Sequence, residues 1–520
     1  MLVSRTRIPS ILFRSLYSIK PSSLYLRSFS TTSKMGDAIP KCQINLLRGW
    51  PHPSLLPIKA INDASQRALS DAKIVVPGLC YGPDDGYLPL REGIERWLGG
   101  FYGGDGEGDG KGDGKGDGKG DGKGEGEGDG ETDKKPKGNQ GDRICITGGA
   151  SQNLACVLQV YSDPGVTRVW MVVPCYFLAC RIFEDAGLVT NAVPEGTGGI
   201  DLEFLERKLV KDERERGDVK PLKTPKPWSK IYRHIIYCVP TFSNPSGKTM
   251  SLTTRQSLIH LARKHDALII TDDVYDSLQW FTSPLSSSFP QTALQPRLID
   301  LDRITTPSPG SESFGNAMSN GSFSKIVGPG VRTGWAEASP KFIYGLSQCG
   351  SSRSGGAPSQ FTATIIHQLL ASGDLETHIE AVLKPAYSKR YTILMSAISK
   401  HLIPLGVKVG ETSTLKTTGE GVFGGYFIWI TLPGNMDAED VSLGAREEEN
   451  LILAPGKIFE VKTDETVRFR GAMRLCFAWV EEGELEEGVR RLGGLIKRLS
   501  EDQSKSTVRK KGVVDLAMFR

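Results

Sequence analysis

The chain has 520 residues, 38% of them hydrophobic and 24% charged, enough to bury large cores across two or more domains. Its net charge of +4 owes six positive charges (Arg5, Arg7, Arg14, Lys20, Arg27, Lys34) to residues 1–34, which hold no acid, so the remainder stands at −2. That mildly acidic body argues against nucleic acid as a partner, and no apolar run approaches the roughly 18 residues of a membrane span. Nine cysteines without a CxxC pair and seven scattered histidines match no standard zinc site. No metal is expected, and the thiols read as unpaired in a reducing compartment.

The first 34 residues are rich in Arg and Ser and place Ile8, Ile11, Leu12 and Leu16 on one helical face. This pattern predicts a mitochondrial transit peptide and a matrix location, with a disordered basic arm as the alternative. Arg27-Ser28-Phe29-Ser30-Thr31-Thr32 resembles a processing site, and initiation at Met35 would give a cytosolic form. A helix is expected over Leu90–Leu98. Residues 104–130 then carry glycine at every even position and only Asp, Glu or Lys between. Neither face of that alternation is apolar, so about 103–140 reads as a flexible insertion within one domain. Beyond it, strands are expected at Arg143–Thr147, Val169–Val173, Ile235–Val239 and Ala267–Thr271, with helices at Phe177–Ala186 and Thr253–His265. Short apolar runs alternating with amphipathic helices predict a mainly parallel sheet covered on both faces. Residues 283–316 read as a Ser/Pro-rich loop around a short strand, Arg297–Leu301. Longer helices (Gln360–Ala371, Leu375–His401) and the strands Tyr426–Leu432 and Met473–Val480 suggest a separate α+β domain.

Chemistry-bearing residues gather where strands are expected to end, which is where ligands bind in open α/β sheets. Thr147-Gly148-Gly149-Ala150-Ser151-Gln152 is a glycine turn between strand and helix. It suits a phosphate at a helix N-terminus, or is an ordinary α/β turn. Residues 240–247 (PTFSNPSG) form a simple turn or present Asn244 to a ligand. Asp272 and Asp273 follow the apolar Leu268-Ile269-Ile270. Two carboxylates there suit a metal, although no His or Glu stands beside them, or let Asp272 pair with a pyridinium nitrogen. At about 3 Å and an effective dielectric of about 20, that pair attracts by about 5 kcal/mol before desolvation. Lys325 lies among small hydroxyl residues in residues 322–332 (SFSKIVGPGVR), with Arg332 seven positions on. This suits a lysine joined to an aldehyde cofactor whose phosphate the hydroxyls and the arginine hold. The alternative is a surface lysine in a Gly/Pro loop. Arg474, inside an apolar strand, is a carboxylate clamp or a structural, ion-paired arginine.

Taken in order, these segments resemble the class I/II aminotransferases, fold type I enzymes of pyridoxal 5'-phosphate, from about residue 43 to 500. The resemblance rests on Tyr81-Gly82-Pro83-Asp84-Asp85-Gly86 with Leu90-Arg91, Asn-Pro-x-Gly from 244, Asp-x-x-Tyr from 272, Ser-x-x-Lys from 322, and Arg332. Gly424-Gly425-Tyr426-Phe427-Ile428-Trp429 and Met473-Arg474-Leu475 extend it. A finer likeness, in Asp-Asp-Val-Tyr-Asp and Gly-Gly-Ala-Pro-Ser, is to fungal 2-aminoadipate and aromatic amino acid aminotransferases.

The resemblance implies an α/β fold with a large domain, whose mainly parallel seven-stranded sheet is sandwiched by helices, and a smaller α+β domain. The expected division is a transit peptide 1–34, an N-terminal arm with part of the small domain 35–80, a large cofactor domain 81–345, a small domain 346–500 and a tail 501–520. Lys325 would bond the cofactor aldehyde, Asp272 would pair with its ring nitrogen, and Asn244 and Tyr275 would contact its ring oxygen. Tyr176 would stack on the ring, and Ala150, Ser151, Ser322 and Arg332 would bind the phosphate. Relatives often carry a hydroxyl where Ala150 stands, which leaves only a backbone contact there. Tyr81 would reach the phosphate of a neighbouring subunit in a homodimer with shared active sites. Arg474 would clamp the substrate α-carboxylate, with Asn244 and Gly49 at the substrate. Arg48, beside Gly49, is a candidate contact for a second carboxylate. The expected reaction is ping-pong transamination between an amino acid and a 2-oxo acid, 2-oxoglutarate above all. A β- or γ-lyase on the same fold and a non-enzymatic cofactor-sensing regulator are the alternatives.

Overall fold

Apolar runs of two to six residues form the strands, and the amphipathic stretches between them form the helices. The structure is a computed structural model and describes residues 41–103, 141–283, 289–305, 313–353, 358–410, 413–414 and 421–503. The expected transit peptide, most of the Gly/Asp/Lys insertion, parts of the Ser/Pro-rich loop and the end of the tail lie outside the described residues. In chain order, β1 (Ile44–Asn45), α1 (Ile58–Ser70), α2 (Ala72–Leu79) and α3 (Leu88–Tyr102) precede the central sheet. The sheet and its helices follow as β2 (Ile144–Thr147), α4 (Ala150–Tyr161), β3 (Arg168–Val173), α5 (Phe177–Asp185), β4 (Val189–Pro194), α6 (Leu202–Arg216), β5 (His234–Cys238), α7 (Leu252–Lys264) and β6 (Leu268–Asp272). Then come β7 (Gln279–Phe281), α8 (Leu298–Thr305), β8 (Ala317–Ser322), β9 (Gly334–Glu337) and α9 (Pro340–Ser347).

Seven of these strands make one sheet in the order β2-β9-β8-β6-β5-β3-β4. It is parallel except for β9, which runs antiparallel to both neighbours. Successive residues point to opposite faces. Ile235 and Tyr237 of β5 join Leu268 and Ile270 of β6 in an apolar cluster with Leu154, Phe183 and Phe342 from α4, α5 and α9. Ile236, Cys238 and Ile269 join another with Leu205, Leu258 and Leu298 from α6, α7 and α8. Helices thus cover both faces, which is why these strands read as unbroken apolar runs. Arg297–Leu301 is not a strand. Asp300 accepts hydrogen bonds from the Arg297 backbone N–H (2.9 Å) and guanidinium, which starts α8 with Leu298, Ile299 and Leu301 buried.

The later elements are α10 (Gln360–Ala371), α11 (Asp374–His378), α12 (Lys384–His401), β10 (Lys408–Val409), β11 (Ser413–Thr414), β12 (Gly421–Gly424) and β13 (Phe427–Thr431). They end with α13 (Ala438–Glu449), β14 (Leu451–Ile452), β15 (Ala454–Pro455), β16 (Ala472–Cys476) and α14 (Glu482–Gln503). The long helix expected over Leu375–His401 contains a π-helical turn, Ile379–Leu383. Buried Leu375, Ile379, Leu383, Tyr387 and Tyr391 repeat every four residues, slightly more than the roughly 3.6 of an α-helix. The wider turn takes up the drift and keeps them on one face. The strand expected over Met473–Val480 stops at Cys476, where the Cys476 N–H turns to Leu46 O (2.8 Å).

β10, β13, β16 and β15 form an antiparallel sheet, β12 pairs with β7 and β11, and β1 pairs with β14 in parallel. One apolar core joins Ile44 and Leu46 to Leu90 and Ile94 of α3, Leu394 of α12 and Leu475 of β16. The pairing of β1 with β14 brings the N-terminal segment onto this part of the molecule. All nine cysteines are free.

Trp280 of β7 lies at the centre of this core, fully buried against Tyr391, Phe423 and Phe477. Trp280→Ala is expected to lower unfolding free energy by about 3–5 kcal/mol, read from urea denaturation. A loss below about 1 kcal/mol would show that β7 does not anchor the two parts of the fold.

Candidate active site

The C-terminal ends of β3, β5, β6 and β8 open onto one cleft of about 240 Å³. Ala150, Ser151, Tyr176, Asn244, Asp272, Tyr275, Ser322, Lys325, Arg332, Arg474 and Gly49 all line it. Tyr81 does not. It is 85% exposed and borders a different hollow, with Gly82 and Gln360.

Asp272 ends β6 and forms the floor of the cleft. Tyr237 donates its hydroxyl to Asp272 Oδ2 (2.9 Å), and Asn320 Nδ2 donates to Oδ1 (3.0 Å). Burial pushes the Asp272 carboxyl up to about 6, against the pull of these two donors and of Lys325. Asp273 points to other partners, the hydroxyls of Thr271 and Ser319, each at 2.6 Å. The two acids therefore do not form a shared metal site. Asn320 also donates to Ala150 O (3.0 Å) and accepts from Asn153 (2.8 Å), so one amide ties the floor to the start of α4. The reading of the sequence missed Tyr237, Asn320 and Asn153. A polar residue inside the fully buried strand β8 was the available signal for Asn320.

Lys325 lies above this floor. Its Nζ donates to Gly49 O (2.9 Å), and its own carbonyl accepts from Tyr426 OH (3.0 Å). Burial, helped by the Arg474 guanidinium, pushes the amine down to about 8 although Asp272 pulls the other way. Lys325 is thus not a surface lysine. The rings of Tyr275 and Tyr426 lie 5.9 and 5.3 Å from Nζ. Tyr176, whose phenol is pushed up to about 12 chiefly by burial, faces the same space with a contact to Ser151.

An anion cradle adjoins the floor. α4 begins at Ala150 behind Gly149, whose φ of 96° is the left-handed region that glycine tolerates. Arg332 Nη2 donates to Gly148 O (2.6 Å), and a Cβ on Gly149 would sit 2.5 Å from that nitrogen. Ser322 and Ser324 share a hydroxyl hydrogen bond at 2.9 Å. A 12-residue helix with its N-terminus bare, a guanidinium and hydroxyls suit a phosphate.

Arg474 of β16 is buried, with Phe427 and Phe459 rings 4.0 and 4.9 Å from Cζ. Nη1 donates to Asn244 Oδ1 (2.7 Å) and Nη2 to Leu47 O (2.5 Å), while Nε is buried without a hydrogen-bond partner. No carboxylate pairs with it among the described residues, so it is not an ion-paired structural arginine. A desolvated guanidinium without a counter-ion suits an incoming carboxylate.

The chain matches the family model for aminotransferase class I and II over residues 132–492. The uncharacterized protein YER152C of Saccharomyces cerevisiae is 35% identical over 472 residues, covering 88% of this chain and 97% of its own. The crystal structure of Pyrococcus horikoshii kynurenine aminotransferase in complex with PMP, KYN and KYA is 26% identical, with a TM-score of 0.65 over 88% of this chain and 91% of its own. That of the alpha-aminoadipate aminotransferase of Thermus thermophilus, complexed with N-(5'-phosphopyridoxyl)-L-leucine, is 25% identical, with a TM-score of 0.63 over 88% and 93%. The chain belongs to the class I and II aminotransferases.

Proposed function

We propose that the enzyme moves the amino group of an L-amino acid of the 2-aminoadipate or aromatic class to 2-oxoglutarate in a ping-pong cycle. One observation carries this reading: Lys325, Asp272 and Arg474, from three distant segments, converge on one cleft beside an anion cradle. The names of the two structural relatives, kynurenine and alpha-aminoadipate aminotransferase, support the substrate class.

The cofactor is pyridoxal 5'-phosphate, and the donor set fits it. The α4 N-terminus, Ser151, Ser322 and Arg332 would hold the phosphate, with Ala150 offering its backbone. Lys325 would bond the aldehyde, Asp272 would face the ring nitrogen, and Asn244 and Tyr275 would approach the ring oxygen beneath Tyr176. When bound, the cofactor withdraws electrons from the substrate α-carbon and makes its hydrogen acidic. The chain supplies the rest. Arg474 and Asn244 hold the α-carboxylate and so orient the α-hydrogen toward Lys325, with Gly49 in the facing wall. Once the substrate amine has replaced it at the aldehyde, Lys325 Nζ would be free to take and hold the α-proton, a role that a depressed amine pKa assists. Asp272 holds its negative charge in place through Tyr237 and Asn320. Phe427 and Tyr176 narrow the cleft against water.

A homodimer completes the reading. Tyr81, remote from its own chain's cleft, would contact the cofactor phosphate of a second copy. Val76 and Leu79, 57% and 70% exposed on α2, would be covered in the same contact. The basic, acid-free N-terminus supports delivery to the mitochondrial matrix.

Amino-donor screening against 2-oxoglutarate should give glutamate in equal amount to the 2-oxo acid formed, with parallel double-reciprocal lines. Intersecting lines, or ammonia released without an oxo acid, would contradict transamination. A second expectation concerns pH. Only the neutral amine attacks an aldehyde, and with Lys325 held at about 8 roughly a tenth of it is neutral at pH 7. Reconstitution of the cofactor-free protein with pyridoxal phosphate, followed by visible absorbance, should accelerate as pH rises from about 7 and level off above about 9. A rate still climbing tenfold per pH unit at about pH 9.5 would place the amine at its ordinary value.

A further inference from the structure

Asn244 lies in the turn formed by residues 243–248, between β5 and α7, and its Oδ1 accepts from Arg474 Nη1 (2.7 Å). The aim of the carboxylate clamp therefore depends on how that turn is held. Ser243 N–H donates to Lys248 O (2.9 Å) and Gly247 N–H to Ser243 O (2.7 Å), which closes it. One side of the turn lies against β12. Gly247 has a left-handed φ of 73°, and a Cβ there would fall 3.0 Å from Phe423 Cζ.

A buried acid holds another side. Glu195 follows β4, its backbone N–H donates to Val173 O (3.1 Å) at the end of β3, and its side chain is 8% exposed. Ser246 Oγ donates to Glu195 Oε1 (2.6 Å), and Lys248 Nζ lies 3.5 Å from Oε2. Both partners belong to the turn. No other side chain hydrogen-bonds or ion-pairs with this carboxylate among the described residues. Burial pushes the Glu195 carboxyl up to about 7, against the pull of Ser246 and Lys248. A buried ion pair adds little net stability, so stability alone does not account for an acid here. Glu195 does not line the cleft, so it meets neither substrate nor cofactor directly.

We propose that Glu195 is a positioning residue for the substrate carboxylate: through Ser246 and Lys248 it sets the turn that carries Asn244, and Asn244 sets the aim of Arg474. This rests on the transaminase reading and adds to that site an acid that acts from outside the cleft. Loss of one charge-assisted hydrogen bond in such a chain weakens carboxylate capture by about tenfold. The link also depends on pH. Lys248 is the charged group that faces Glu195. The carboxylate is charged above about pH 7 and is neutralised as pH falls through that value, which removes the attraction to Lys248. Carboxylate capture should therefore weaken from about pH 8 to about pH 6.

The test is Glu195→Ala, Glu195→Gln and Ser246→Ala in the full-length holoenzyme. Glu195→Ala and Ser246→Ala should each raise KM for 2-oxoglutarate about tenfold, with kcat within about threefold and cofactor content kept. Equilibrium binding of non-reacting glutarate should weaken by a similar factor. The double variant should be no worse than either single one, because both cut the same link. Glu195→Gln keeps an acceptor for Ser246, so it should lose less, and its KM should no longer rise between about pH 8 and about pH 6. If Glu195→Ala does not fold, the near-isosteric Glu195→Gln and Ser246→Ala carry the same readouts. KM and glutarate binding unchanged within about twofold, effects that multiply in the double variant, or a pH response that persists in Glu195→Gln would overturn the proposal. So would losses confined to kcat or to cofactor content, which is what a merely structural tie gives. Wild-type protein that binds glutarate but transaminates nothing would instead overturn the proposed function, because the binding readout needs no turnover.

Discussion

A carboxylate kept available for charge inside an apolar sheet is the constraint around which the site is built. Asp272 ends β6 with little solvent exposure, and that burial pushes its carboxyl up to about 6. Tyr237 and Asn320 offset that cost by donating to its two oxygens from neighbouring strands. The same Asn320 donates to Ala150 O at the start of α4, so one amide joins the acid floor to the anion cradle. The parallel order of β5, β6 and β8 makes this possible, because it brings their C-terminal ends to one edge.

The opposite wall is supplied from the N-terminal segment. β1 pairs with β14, and the residues after it cross the cleft with Leu47 O on Arg474 and Gly49 O on Lys325. Both cations thereby donate a hydrogen bond to one stretch of backbone.

Much of this was legible in the chain itself, for identifiable reasons. β3, β5 and β6 are buried on both faces, so their residues form unbroken apolar runs that no exposed element would carry. Asp272 stood out because it follows such a run, and Lys325 because small hydroxyl residues surround it. Arg297–Leu301 was misread because five residues hold too little periodicity to separate strand from helix, and a side-chain cap from Asp300 decided the matter. Tyr237 and Asn320 were hidden because their work is across strands, and pairing register is not written in local sequence. Arg474 read as ambiguous since only the tertiary surroundings, two aromatic rings and no acid, separate a clamp from a structural cation.

The central claim is that one amine, over one buried acid, carries the cofactor. Borohydride reduction of the purified holoenzyme followed by peptide mass mapping tests it most directly. The account predicts a single pyridoxyl group fixed on the peptide that contains Lys325. Label on any other lysine, or protein that takes up no pyridoxal phosphate to reduce, would contradict it.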